Sequence, residues 1–190
     1  MASAHLKDLV AENKSLLVQL AGLLDRIPRT HYALAADGRQ SIGRHLRHIT
    51  DHYAAFLAAV EAPADFSLDY ETRQRDPALE TEPDKALQVI DALVDELDQL
   101  PEKCLQHPLR MCYPMAADPG SGEPATSIVE VPTCALRELV FLSSHTVHHM
   151  ALIKPLAGKL KVRLPDSFGV HPSTLRHWAG MAPPLNCGAR

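Results

Sequence analysis

Residues 141–153 read FLSSHTVHHMALI, an apolar stretch that carries His145, His148 and His149 within five positions. The stretch lies in a run from Pro132 to Lys154 that the spacing predicts as one long helix, with Pro155 limiting it. On a wheel of ~100° per residue, Leu136, Leu139, Val140, Val147 and Met150 make one apolar face. The opposite side carries Glu138, Phe141, Leu142, His145, His149 and Leu152. A helix apolar nearly all round is expected to be buried on several sides. Glu138, His145 and His149 fall within roughly 40° of one another, a narrow polar line that an uncharged core would not need. Imidazoles at i and i+4 rise about 6 Å along the axis, so both can reach one ion. His148 competes, because i and i+3 also share a face. A lone histidine here would be an ordinary core ring satisfied by a backbone carbonyl; the pair, with further histidines elsewhere, points to metal ligation.

Working outward, the remaining chain also reads as helix. Leu6, Leu9, Val10, Leu16, Leu17, Leu20, Leu23, Leu24 and Ile27 recur at spacings of three and four, until Pro28 stops them. After the turn-like Asp37-Gly38, Ser41 can cap a second helix striped by Ile42, Leu46, Ile49, Tyr53, Phe56 and Val60 and ended by Pro63. Thr81 with Asp84 offers a capping box for a third, carrying Leu87, Ile90, Leu93, Val94, Leu97 and Leu100 up to Pro101. Residues 64–80 show no clean period and read as a loop with short turns. The segment 103–131 holds LRMCY, a Pro/Gly-rich tip and SIVEV, which suggests a small β-hairpin inserted before the fourth helix. Four long helices in one domain spanning 1–190, with a short C-terminal helix, make an all-α four-helix bundle the expected architecture.

Composition removes several classes of function. With 23 acidic against 19 basic side chains and no sustained Lys/Arg block, the chain has little attraction for phosphate backbones or anionic lipid. Nucleic acid and membrane are therefore not expected partners. FGVHPSTLRHW superficially resembles the turn and recognition helix of MerR-type regulators, but Pro165 interrupts the helix that should precede it. The charged N-terminus, MASAHLKDLVAENK, lacks a basic-then-apolar leader pattern, and a cytoplasmic protein is expected. Cys104, Cys112, Cys134 and Cys187 form no C-x-x-C pair and read as ordinary reduced thiols.

A third metal ligand should come from another helix, and SIGRHLRHITDHY supplies His45, His48 and His52 on one flank of the second. The wheel favours His45, about 60° from the centre of the apolar stripe, over His48 at roughly 120°. HLRHITDHY followed a hundred residues later by HTVHH resembles the DinB-like (YfiT-like) family of small bacterial metal-binding four-helix bundles, and SFGVHPSTLRHW looks like the closing segment of one of its branches. The resemblance covers nearly the whole chain in helix order. It implies a metal held by one histidine of the second helix and an H-x-x-x-H pair on a later one, here His48, His145 and His149. Members include thiol-dependent transferases and isomerases, so the resemblance implies a metal-dependent hydrolase or thiol transferase. A non-catalytic metal-binding or stress protein is the alternative.

Three neutral imidazoles leave most of a divalent ion's charge unbalanced and at least one position open for water or substrate. Zinc or nickel suits all-imidazole ligation, with iron a further candidate. Asp51 and His52 are placed to fix ring tautomers around the ligands. Glu138 is the candidate catalytic group: seven residues before His145 is about 10 Å of rise, too far to ligate the same ion, so it meets substrate or pairs with Arg73 or Arg75. Tyr70, Arg73 and Arg75 of the YETRQRD loop, together with His45 and His148, complete the pocket candidates. The expected partner is a small molecule, a low-molecular-weight thiol among the candidates, and a homodimer is a further candidate assembly.

Overall fold

In a computed structural model, residues 2–35, 40–62, 67–72, 75–101, 108–115 and 127–180 are described. In chain order the elements are α1 (Ala2–Leu24), α2 (Arg29–Tyr32), α3 (Ile42–Glu61), β1 (Ser67–Asp69), α4 (Ala78–Thr81), α5 (Pro83–Asp98), β2 (Pro108–Met115), β3 (Ser127–Cys134), α6 (Ala135–Lys159) and α7 (Pro172–Trp178). The described chain is mostly helical, as expected, with one small three-stranded sheet. Among the described residues no helix is long and apolar enough to cross a membrane.

The apolar stripes meet in one core. α1 and α3 each pack against both α5 and α6. Leu17 and Leu20 of α1, Ile42, Leu46, Ile49 and Phe56 of α3, Ile90 and Leu97 of α5, and Leu139, Met150 and Ile153 of α6 are all buried there. Ser41 caps α3 as expected, its hydroxyl accepting from the Arg44 amide at 3.2 Å. The expected capping box at Thr81 and Asp84 does not form. Pro83 opens α5, where its fixed φ suits the first turn; Thr81 instead ends α4 and donates to the Ala78 carbonyl, while Asp84 pairs with Arg29.

The hairpin is present: β2 and β3 pair antiparallel, with Leu109 opposite Thr133 and Tyr113 opposite Val129. The loop reading of residues 64–80 needs two corrections. Ser67–Asp69 adds to β2 as a parallel strand, with fully buried Leu68 next to Met111, and Leu79 of α4 is buried against the helices. Three residues of contrast are too few for a period to show in sequence. Asp37, Gly38, Pro63 and most of the hairpin tip lie outside the described residues, as do Cys104 and Cys187.

α6 departs from expectation at both ends. Pro132 lies in β3 opposite Arg110, so the helix starts at Ala135. Pro155 sits inside the helix, which continues to Lys159 because Leu156 and Ala157 are packed into the core. Nor is α6 buried all round: Val140, Ser144, His148 and Leu152, four apart, form an exposed strip. α7 contributes no buried residue. The turn before it does, through Phe168, and Gly169 at φ +69° approaches α6 so closely that a Cβ would stand 2.9 Å from the Ala151 nitrogen.

Candidate metal centre

α3 and α6 run side by side, and each brings an H-x-x-x-H pair to their seam: His48 and His52 from α3, His145 and His149 from α6. The Nε2 atoms of His48 and His145 face each other at 3.1 Å. Two lone pairs that close must share a proton or a cation. Ligands about 2.0–2.1 Å from one ion lie ~2.9 Å apart at a right angle and ~3.3 Å apart in a tetrahedron, so this spacing fits joint ligation. His52 joins them, the ligand atoms of His48, His52 and His145 lying within 4.8 Å of one another. Its Nδ1 donates to the His48 carbonyl at 2.8 Å, which in the neutral ring makes Nε2 the nitrogen that carries the lone pair.

His149 lies beside this trio, its ring centroid 4.5 Å from that of His48 and 4.6 Å from that of His145. Its Nδ1 meets the Nδ1 of His45 at 3.0 Å. Between neutral rings one nitrogen must donate, so one ring of that pair carries its lone pair at Nε2 and the other carries its proton there. Burial, and then the neighbouring His145, His45 and His148, pushes the His149 imidazole from its ordinary value near 6.5 down to about 3. It is neutral at physiological pH, as a ligand must be. His45 is buried behind it, and His148 is exposed on the outer strip of α6, touching only the edge of the group through His149.

Aromatic rings hold the imidazoles from the sheet side. Tyr70 stacks on His52 with centroids 5.0 Å apart, and Phe141 stacks on His145 at 5.3 Å. The Tyr70 hydroxyl donates to Glu138 at 2.8 Å, and burial beside that carboxylate holds the phenol well above its ordinary range. Glu138 is fully buried and also accepts from Thr133 and from Arg137. Among the described residues its cationic partner is the adjacent Arg137; Arg75 is exposed, and Arg73 lies outside the described residues. Asp51 accepts from Arg47 at 2.6 Å, and Arg47 also donates to Glu80 at 2.6 Å, joining α3 to α4.

A buried network that sequence reasoning missed lies directly behind the ligands. Asn13 donates to the Leu9 and Leu139 carbonyls and accepts from the Tyr53 hydroxyl at 2.7 Å, which in turn accepts from Thr146 at 3.2 Å. Tyr53 follows His52, and Thr146 follows His145, so α1 fixes the rotation of both ligand helices. The signal was Asn13 itself, a polar residue inside the apolar stripe of α1.

Two clefts open on the cluster. One of about 440 Å³ is lined by Gln40, Arg44, His45, Arg47, Glu80 and His149; the other, about 370 Å³, lies between α6 and the sheet; His48 belongs to both. A cavity of about 530 Å³ between α1 and α5 holds no histidine.

No family model matches the chain, and no solved structure matches it. Among curated proteins it is similar to FK506-binding protein 5 of Rhizopus delemar, 46% identical over 41 residues. Those residues are 22% of this chain and 11% of that protein, so the chain spans about a tenth of the relative's length.

Proposed function

We propose that the chain is a divalent-metal protein of the DinB-like four-helix kind, with its ion on His48, His145 and a third imidazole and with one coordination position open to substrate. The observation that carries this reading is the 3.1 Å approach of His48 Nε2 to His145 Nε2, flanked by a further imidazole at each end. The grouping of His52 with His48 and His145 favours it as the third ligand. The family resemblance assigns that place to His149, which lies one turn beyond His145. An all-nitrogen donor set suits zinc or nickel, with iron a further candidate.

Bound there, a divalent ion would polarise a substrate oxygen or sulfur and lower the pKa of its proton, which supports hydrolysis or thiol transfer. The chain's own residues do the rest. Tyr70 and Phe141 hold the rings in place, the His48 carbonyl sets the His52 tautomer, and the two clefts that His48 lines give substrate access. Glu138 acts as a positioning residue, because its two oxygens are engaged by Tyr70, Thr133 and Arg137.

The test is the cobalt form, titrated from acid to alkaline and then with a small thiol. An open site changes its absorption with both. A spectrum insensitive to alkaline pH and to thiol contradicts the catalytic reading and favours a metal-binding protein without turnover.

A further inference from the structure

We infer that the 370 Å³ cleft is built to bind a small, apolar, ring-bearing molecule whose thiol or hydroxyl head reaches the imidazoles. For the head group this rests on the metal reading above; for the apolar body it does not.

The sheet supplies the first argument. Side chains alternate along a strand, so Leu109, Met111 and Tyr113 share one face of β2, with Leu68 of β1 in register beside Met111. Leu68 and Leu109 are buried in the core, Met111 is half-buried, and Tyr113 is 50% exposed. The apolar face therefore runs on past the core and out over the cleft, where its last ring, Tyr113, is half exposed.

The opposite wall consists of rings. Tyr70 and Phe141 lie 5.2 Å apart, each stacked on an imidazole. Of the charged side chains in its lining, Arg137 donates to Glu138 and lies over the Phe141 ring at 5.4 Å, and Glu71 is exposed. A volume of about 370 Å³ falls at the lower end of the range for small-molecule sites, which are apolar with a few convergent polar groups. The second cleft that His48 lines is walled mainly by Gln40, Arg44, Arg47 and Glu80, with Leu152 as its one apolar side chain and no ring besides imidazoles. An apolar body is therefore sorted to the sheet side.

The experiment compares benzyl mercaptan with 2-mercaptoethanol on full-length protein carrying ¹³C-methyl methionine, with metal content measured alongside. In the cobalt form benzyl mercaptan is expected to bind at least about tenfold more tightly, since it buries a ring. Tyr113→Ala is expected to remove most of that preference. The Met111 methyl signal, assigned with Met111→Leu, shifts under the ring current. Equal affinity for the two thiols, or a Met111 signal unmoved at saturation, overturns the proposal. Should the protein hold no metal, the metal reading fails, and the Met111 signal still decides the cleft: a shift with benzyl mercaptan upholds it, and silence overturns it.

Discussion

His52 fixes its own chemistry through one bond to the chain. With Nδ1 donating to the His48 carbonyl, its neutral ring turns a lone pair toward the Nε2 atoms of His48 and His145. His52→Ala is therefore expected to lower metal affinity by orders of magnitude, and His149→Ala by at most about a hundredfold, the scale of an outer-shell ring. Titration of both variants with a competing chelator decides it; the reverse order would make His149 the third ligand, as the family resemblance implies. His45→Ala, which removes only the partner of His149, is expected to cost no more than about tenfold. The depressed His149 value adds a pH prediction. The unfolded ring takes up its proton near 6.5, whereas the folded ring resists until about 3, so between those values the unfolded state binds more protons. The stability that this ring contributes to the metal-free protein should be complete above pH ~6.5 and fall as the pH drops toward ~3. Urea midpoints across that range measure it, and His149→Asn should flatten the slope.

The ligand helix α3 is fixed in place by two contacts near its start. At the N-terminus of α3, Ser41 caps the first turn and Gly43 lies so close to α4 that a Cβ would come within 2.1 Å of the Glu80 carbonyl oxygen. Ser41→Ala is expected to cost about 1 kcal/mol in chemical denaturation. Gly43→Ala should cost more, about 1–3 kcal/mol, because backbone would have to move away from backbone; a neutral effect would mean that α4 does not pack there. These helices show why some of the fold was legible and some was not. Stripes such as Ile42, Leu46, Ile49, Tyr53 and Phe56 are long periodic signals, and they located α1, α3, α5 and α6. The three-residue β1, the four-residue α4 and the continuation of α6 through Pro155 depend on tertiary packing, which overrides local preference. In the site, His145 was legible from its i, i+4 spacing to His149, whereas on α3 the wheel favoured His45 and only the family resemblance pointed to His48. Whether His52 or His149 completes the set depends on side-chain bonds to the His48 carbonyl and to His45, and no wheel contains those.

At the scale of the molecule, the cluster lies on the seam between α3 and α6, and Asn13 of α1 fastens that seam from behind. An ion shared by His48 and His145 would tie the two helices together, so metal is expected to raise the melting temperature and a chelator to lower it, as for any ligand that binds only the folded state. The central claim is joint ligation by those two rings. Elemental analysis of protein purified without chelator, set beside His48→Ala and His145→Ala prepared identically and shown to be folded, tests it most directly. The account predicts about one equivalent of divalent metal in the parent and loss of most of it in each variant. Undiminished metal in both variants, or none in the parent after reconstitution with zinc or nickel, would contradict it.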